Sequence, residues 1–408
     1  MTQPPIPSNE MDRLLSLASF DLDYTDLKDN FKDLCRLAAK VAGTNISMIN
    51  LIDTYTQWTI SNHGLALSQM PREDSVCQYT ITENESFEVT DLTQDSRFSN
   101  RSYVVGEPHL KYYLGLPLQT NDGYNIGTLC VLDGDAKKIS SEKIELLKII
   151  ADEIVNRLNT LQAVEFLKHK ITEITESQKR VVHDIRGPLS GIIGLAEIIG
   201  SQGDANKMDQ VLDFIKLIHK SSHSILELAN EILSVDDRIE PTGNSLNTNE
   251  FNLLTLKEKL EDLYELQAKN KNINFTVHIN SAKSLVPFSK NKLLQIIGNL
   301  VSNAIKFTPI EGDVTVTLNI QENKQNNKLI IEVKDMGIGM DEDKINFILK
   351  GKSASTVGTN GEQGYGFGLS LVKYLIDSLN GEMKIESTIG KESTFTVSLP
   401  QTKTATNT

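Results

Sequence analysis

Between Ser141 and Arg186 the chain contains no glycine or proline, and apolar residues recur at spacings of three and four through Ile144, Leu147, Ile150, Ile154, Leu158, Leu161, Leu167, Ile171, Ile174, Val181 and Ile185. Lys, Glu, Asp and Gln fill the positions between them. Such a seam predicts a two-stranded coiled coil with one irregularity between Leu161 and Leu167. Continued to Ile199, roughly sixty residues at about 1.5 Å each make a rod of about 90 Å. A chain built on such a rod is not one globule, and a length of 408 residues predicts roughly two to four domains.

The rod leads into VVHDIRGPLSGIIGLAEII, residues 181–199. Val181 and Ile185 enter, and Ile192, Leu195 and Ile199 leave, on the apolar seam, which places His183 about 200° around the helix and facing water. An exposed imidazole followed by a carboxylate, Asp184, has the parts of a phosphoryl acceptor: a nucleophilic ring nitrogen, and a neighbour that holds the proton on the other nitrogen. Pro188 adds a kink, because its ring crowds the carbonyl of Asp184 and one backbone donor is lost. Alone, a His-Asp pair is an ordinary solvated helix face. The rest of the chain gives it meaning.

Hydrophobic residues make up 39% and charged residues 23% of the chain, as in folded soluble domains. It contains no apolar run of about eighteen residues, and MTQPPIPSNEM lacks the basic and apolar regions of a signal peptide, so no membrane span is expected and the expected location is cytoplasmic. A net charge of −13 opposes binding to nucleic acid, whose sequence-independent contacts are Lys and Arg to phosphate. Cys35, Cys77 and Cys130 are widely spaced with no C-x-x-C, so reduced core thiols are expected rather than a zinc site or disulfide framework.

Residues 20–160 read as an α+β domain. A helical pattern over Asp26 to Ala42 is followed by the short apolar runs ISMINLID, EVTDL, YYLGLPLQ and NIGTLCVLD, bounded by Gly, Asn and Asp and therefore strand-like. A closing helix starts at Ser141. The stretches SVCQYTI, VTDLTQDSRFSN, HLKYYLGLPL and NIGTLCVLD together resemble a GAF domain, a fold that often cups a small ligand on one face of its sheet. The resemblance leaves the ligand unknown. Cys77 is followed by Gln78, where bilin-attaching relatives carry His, so Cys77 reads as a small buried side chain. Trp58, Tyr112 and Tyr113 read as core before pocket.

Beyond SQGDAN a second helix from about Lys207 carries Met208, Val211, Ile215, Ile218, Ser222, Ile225, Ala229 and Ile232 on one stripe. Two amphipathic helices in a hairpin cannot hide both seams between themselves, so a homodimeric four-helix bundle is expected. His219, His223 and Glu227 share a helix face, but a zinc site is normally better supplied with ligands, and a solvated face is the expectation. DDRIEPTGNSLNTNE, 236–250, reads as a linker. Thr255 and Glu258 then suggest a capping box opening an α+β region with a mixed sheet covered on one face by helices.

Three motifs in this last region are decisive. NLVSNAIKF (299–307) resembles the N-box, DMGIG (335–339) the first glycine box, and GYGFGL (364–369) the second glycine box of Bergerat-fold ATPases, while HDIRGPL resembles the H-box of sensor histidine kinases. Asn299 and Asn303 lie on one helix face, and their neutral amide oxygens suit a magnesium ion that keeps water and phosphate ligands. Lys306, one turn on, reaches phosphate as a point charge. The resemblance implies that Asp335 accepts a hydrogen bond from the adenine amino group, and that Gly337 and Gly339 let the backbone approach the nucleotide. It further implies that Gly364, Gly366 and Gly368 form a loop over the triphosphate at a helix start. Phe307 is placed near the adenine and Thr394 is a further, indirect contact. The polar, Gly-rich stretch 350–363 reads as a lid.

The resemblance implies a multidomain fold: an α+β GAF domain, a long coiled-coil helix leading into an α-helical hairpin that forms a four-helix bundle as a dimer, and an α+β Bergerat-type ATP-binding sandwich. The expected organisation is an N-terminal tail (1–19), GAF sensor domain (20–160), coiled-coil signalling helix (161–180), dimerisation and histidine phosphotransfer domain (181–235), linker (236–250), ATP-binding domain (251–401) and C-terminal tail (402–408). It implies an ATP-Mg²⁺-dependent protein-histidine kinase that phosphorylates His183, with Asp184 assisting. No stretch resembles a receiver domain, so the expected acceptor is a separate response regulator, and a GAF ligand shifting the coiled coil would control transfer.

Two departures matter. Gly187 stands where many bifunctional relatives carry Thr or Asn, so the resemblance does not carry phosphatase activity to this chain. Glu392 replaces a common glycine before Thr394. Two other classes remain open at this point. A gyrase-like or MutL-like hydrolase would need a glutamate base where Asn299 stands; a non-catalytic scaffold would bind ATP without forming a phosphoprotein.

Overall fold

The computed structural model describes residues 5–24, 27–202, 208–234, 250–281, 283–290, 292–322, 327–351, 358–359 and 366–401. The chain divides into two compact units, Met1–Ala163 with Leu246–Gln401, and Val164–Ser245 with Thr402–Thr408. Nearly all of the expected linker and most of the expected lid lie outside the described residues.

The first unit opens with helix α1 (Glu10–Ser19), where the sequence suggested a tail. Its apolar residues Leu14, Leu17 and Ala18 are buried, and so are Glu10 and Arg13. The charges are matched: Glu10 pairs with Arg13 at 2.8 Å and with Arg72 at 2.6 Å, and Arg13 Nη1 donates to the Ile52 carbonyl at 2.7 Å. A partner far along the chain makes this burial possible, which is why the local pattern reads as polar. Burial pushes the Glu10 carboxyl up, but the two arginines outweigh it and hold it at about 2. A folded value below the ordinary 4.5 means that the stabilisation is complete above that pH and is lost as pH falls through about 2. Glu10→Gln removes the buried carboxylate with which both the Arg13 and the Arg72 guanidinium groups pair and is expected to destabilise the fold by about 3–5 kcal/mol. Urea unfolding measures it; a loss below about 1 kcal/mol, the range of exposed pairs, would contradict the assignment.

Helix α2 (Lys28–Ala42) precedes strands β1 (Ile46–Ile52), β2 (Thr56–His63) and β3 (Gln69–Pro71). After helix α3 (Cys77–Thr80) come β4 (Phe87–Val89), α4 (Ser102–Val105), β5 (Tyr112–Gln119) and β6 (Asn125–Asp133). They form one sheet in the order β3-β2-β1-β6-β5-β4, antiparallel throughout. Strands β1 and β6 are buried almost end to end, because apolar cores lie on both faces of the sheet, and the polar Ser47, Asn50 and Thr128 are buried with them. One core combines Phe31, Leu34 and Ala38 of α2 with Ile49, Leu129, Leu147 and Ile154. The other combines Val76, Cys77, Phe98, Tyr113 and Cys130. Strand β2, missed in the sequence because TQWTISNH is rich in polar residues, sits beside β1 with Thr56, Gln57, Thr59 and Ser61 buried and only His63 exposed.

Helix α5 (Ser141–Gln202) is a single helix of 62 residues; it continues through Pro188, and the side chains of His183, Asp184, Gly187 and Pro188 are outside the described residues. Helix α6 follows (Met208–Ser234). Among the described residues no helix is long and apolar enough to cross a membrane.

The C-terminal part begins with β7 (Glu250–Phe251) and α7 (Leu253–Asn270). The cap of α7 is Asn252, whose side chain accepts from the Thr255 N–H at 2.9 Å, so Thr255 occupies the first turn and is not the cap. Then come β8 (Asn274–Ile279), β9 (Phe288–Ser289), α8 (Leu293–Phe307), β10 (Asp313–Glu322), β11 (Asn327–Asp335), α9 (Glu342–Leu349), α10 (Gly368–Ser378), β12 (Glu382–Thr388) and β13 (Glu392–Gln401). The sheet order is β12-β13-β11-β10-β8, with β10 and β8 parallel and the other pairs antiparallel. Strand β11 alternates buried and half-buried residues: Leu329, Ile331 and Val333 join Leu260, Ile297, Leu300 and Val372 of the helices in one core. One covered face is what period-two alternation dictates.

Candidate functional site

Helix α8 carries the site. It is buried around almost its whole circumference, because β11 and β10 lie on one side and α7 and α10 on the others. A side chain at Gly298 would collide with the Tyr264 hydroxyl, so glycine there lets α7 approach. At the C-terminal end of α8 the Lys271 ammonium donates to the Lys306 carbonyl at 2.6 Å and the Ile305 carbonyl at 3.0 Å. A cation thus satisfies the orphan carbonyls at the negative end of the helix.

Asn299, Asn303 and Lys306 are all buried on α8. Asn299 Nδ2 donates back to the Gln295 carbonyl at 2.9 Å, which leaves its Oδ1 aimed away from the helix. Among the described residues, Asn299 Oδ1, Asn303 Nδ2 and Ser370 Oγ are buried atoms with no hydrogen-bond partner. An unsatisfied buried polar atom costs about 1–3 kcal/mol, and a cluster of them marks a place where a polar ligand belongs. The Asn303 amide can present its oxygen by turning about its terminal bond.

Asp335 ends β11 and is 4% exposed. Its Oδ1 accepts from the Gly337 N–H at 2.9 Å. Burial is the main influence and pushes the carboxyl up to about 6, against the backbone N–H groups of Gly337 and Ser393, which favour the ionised form. Asn303, Phe307, Asp335, Gly339 and Gly366 line one cavity with Tyr55, Lys344, Leu369, Ser393 and Phe395 among others. Gly337 and Gly339 serve the frame: side chains there would strike the Phe307 and Thr388 carbonyls, and Gly339 has φ +65°. They permit close approach to the protein's own backbone, and Gly339 also lines the cavity. Gly368 begins α10 next to Asn299 Oδ1.

The structure brings most of the expected residues together, with four exceptions. Gly364 lies outside the described residues. His183 and Asp184 belong to α5, and their side chains are outside the description. Thr394 is displaced by register: Ser393 and Phe395 are buried and line the cavity, and alternation turns Thr394 to the other face. The glycine expected at position 392 is supplied earlier, by Gly390 at φ +73°, whose N–H donates to the Ile338 carbonyl at 2.7 Å. Glu392 instead pairs with Lys334 at 2.8 Å. Strict alternation counted back from the buried Val397 and Leu399 was the signal that identifies Ser393.

Elsewhere, Asn50 Nδ2 donates to Cys77 Sγ at 3.4 Å and Cys130 Sγ at 3.3 Å, so two thiols remote in sequence share one partner. All three cysteines are free and buried. His219 and His223 have ring centroids 5.0 Å apart, and the described residues contain no cluster of metal-ligating side chains.

Two segments of the chain match known protein families. Residues 289–403 match the histidine kinase-, DNA gyrase B-, and HSP90-like ATPase family, and residues 175–238, which include His183, match the His Kinase A phospho-acceptor domain. The chain thus carries one segment similar to the phospho-acceptor domain and one similar to the ATPase domain of histidine kinases. The autoinducer 2 sensor kinase/phosphatase LuxQ of Vibrio vulnificus is 32% identical over 55% of this chain and 26% of its own length. The aerobic respiration control sensor protein ArcB of Escherichia coli is 30% identical over 54% of the chain and 28% of its own length. The cyclic di-GMP phosphodiesterase PA2567 of Pseudomonas aeruginosa is 33% identical over 41% of the chain and 29% of its own length. The chain therefore spans under a third of these relatives. The solved catalytic domain of histidine kinase ThkA is 25% identical, with a TM-score of 0.31, over 38% of this chain and 97% of that domain.

Proposed function

We propose that the chain is a sensor histidine kinase: the ATP-binding domain transfers the γ-phosphoryl group of ATP to His183, from which it passes to a separate response regulator. The observation that carries the reading is the set Asn299, Asn303, Lys306 and Asp335, buried together on α8 and the end of β11, in a chain that also holds a phospho-acceptor segment. Asp335 would accept from the adenine amino group, with Phe307 alongside the ring. Gly364, Gly366 and Gly368 would pass over the triphosphate towards the start of α10, where backbone N–H groups favour an anion, and Lys306 would face the phosphates.

The residues fit a magnesium ion as well. Asn299 Oδ1 is a buried oxygen without a hydrogen-bond partner, and Asn303 lies one turn away; these two would hold the ion. When bound, magnesium supplies charge neutralisation on the phosphate oxygens. The Nε2 of His183 would attack in line while Asp184 holds the Nδ1 proton, so the protein contributes position and electrostatics.

Dimerisation through the helical hairpin is supported by the apolar side chains that α5 and α6 leave exposed, among them Leu189, Ile193, Leu212 and Ile215; a second copy would cover them in a four-helix bundle. Exposed Leu167 and Ile171 support a coiled coil upstream. The N-terminal sheet is read as a GAF sensor domain. A cavity of ≈ 660 Å³ whose lining includes Met48, Cys77, Tyr113 and Cys130 supports a small-molecule ligand there.

Incubation with γ-labelled ATP and Mg²⁺ tests the kinase reading. Wild type is expected to acquire label that is lost in acid and kept in alkali, and His183→Gln to acquire none. Equal labelling of the two proteins would end it, and nucleotide binding without any label would favour a scaffold.

A further inference from the structure

We propose that Tyr55 is an autoinhibitory plug, a residue of the N-terminal domain that closes the phosphate end of the nucleotide site when the two domains are docked. The inference rests on the nucleotide-site reading above and adds its regulation.

Docking between the N-terminal and ATP-binding domains is extensive. Trp58 is 4% exposed; it stacks on Tyr24 at 5.1 Å and meets the edge of Tyr264 in α7 at 6.1 Å. Leu14 and Ala18 of α1 belong to the same core as Leu256, Ile297 and Leu371. Polar contacts fix the register. Gln69 Nε2 donates to the Leu263 carbonyl at 2.8 Å, the Lys292 N–H to Asp21 Oδ1 at 2.8 Å, and Lys259 pairs with Asp23 at 3.0 Å. Apolar burial with satisfied polar groups around it is the make-up of a specific interface.

Tyr55 stands at the tip of the β1–β2 turn, closed by the Asp53 N–H to Thr56 carbonyl bond of 2.9 Å. The tip is stiff. The Tyr55 carbonyl accepts from the Arg72 N–H at 2.8 Å, and the Arg72 side chain donates to the Asp53 carbonyl at 3.1 Å and to the buried Glu10. From this base the ring reaches the nucleotide cavity and lines it. Lys306 Nζ lies 5.3 Å from the Tyr55 ring centroid, within cation–π range. A Cβ built on Gly368 would lie 2.9 Å from Tyr55 Cε2 and 3.0 Å from both the Tyr55 hydroxyl and Asn299 Oδ1. The ring therefore packs on the first residue of α10, between the lysine and the helix start that would receive phosphate.

Tyr55 also lines the cavity on the N-terminal sheet, together with Lys306, Ser302 and Ile305 of α8. The two cavities thus share a wall, and a ligand in one bears on the side chain that closes the other. Because Arg72 and Glu10 brace the turn, withdrawal of the plug is a movement of the N-terminal domain rather than of one loop. This route acts directly between domains, beside any signal carried along α5.

A plug seated roughly nine-tenths of the time lowers the apparent nucleotide affinity about tenfold. Equilibrium binding of a fluorescent ATP analogue to the full chain, without phosphorylation, measures this. Tyr55→Ala is expected to tighten binding about tenfold, Tyr55→Phe, which keeps the ring, to stay near wild type, and Asp23→Lys, which weakens docking away from the cavity, to tighten it as well. Unchanged or weaker binding in Tyr55→Ala would overturn the plug. Asp335→Asn, measured beside them, separates the two readings: if it retains full affinity the nucleotide-site reading fails, whereas if it loses affinity and Tyr55→Ala changes nothing, the plug alone fails.

Discussion

Asp335→Asn is expected to weaken ATP binding by roughly tenfold to a hundredfold, the worth of a hydrogen bond to a charged group. The substitution keeps the size of the side chain and exchanges a charged acceptor for an amide that must also satisfy the Gly337 N–H, now at 2.9 Å from Oδ1. With the oxygen committed to that N–H, the new NH₂ faces the adenine amino group, donor against donor. Two controls separate base recognition from damage to the fold. Wild type should prefer ATP to inosine triphosphate, which has a carbonyl in place of the amino group, and the variant should lose that preference; thermal unfolding should be little changed. The pH dependence has a definite sign. The Asp335 carboxyl stands at about 6 instead of 3.8, so the accepting carboxylate is fully present above about pH 7 and is lost as pH falls through 6. Affinity should fall with it in wild type and not in Asp335→Asn. A preference for ATP that survives the substitution would show that another group reads the base.

The second large effect is expected at Asn303. Asn303→Ala removes an amide from a site where neighbouring polar atoms, Asn299 Oδ1 and Ser370 Oγ, are already buried without partners. If this amide holds magnesium against the phosphates, phosphoryl transfer should fall by about a hundredfold or more, and the magnesium concentration needed for half-maximal rate should rise. Nucleotide binding in the absence of magnesium should change much less, because Asp335 and the cavity walls are untouched. A uniform loss with and without magnesium would assign Asn303 to the base or to the fold.

The parts of this molecule legible in the sequence are those governed by local period. Asn299, Asn303 and Lys306 share a face of α8 because 3.6 residues make a turn, and the first part of α5, Ser141 to Arg186, shows itself by apolar spacing with no Gly or Pro to break it. What was not legible depended on partners remote in sequence. Helix α1 was hidden because Glu10 and Arg13 look like surface charges until Arg72 is placed beside them. The polar strand β2 is buried by neighbours its own residues do not announce. Asn252 caps α7, three residues before the Thr255 the sequence suggested, because its extended backbone lets Oδ1 reach the Thr255 N–H. Ser393 and Thr394 differ by one step of register, and a step of one exchanges the faces of a strand. Tyr55 had no signal at all: its place in the nucleotide cavity comes from the docking of two domains.

The measurement that tests the central claim most directly is localisation of the phosphoryl group. The protein would be incubated with ATP and Mg²⁺, digested at neutral to alkaline pH so that phosphohistidine survives, and analysed by mass spectrometry. A single modified site is expected, His183, in a peptide from the 181–199 region, with its extent reduced at sub-saturating ATP when Asp335→Asn is used in place of wild type. Modification at His219 or His223 instead, or release of ADP with no modified peptide, would contradict it.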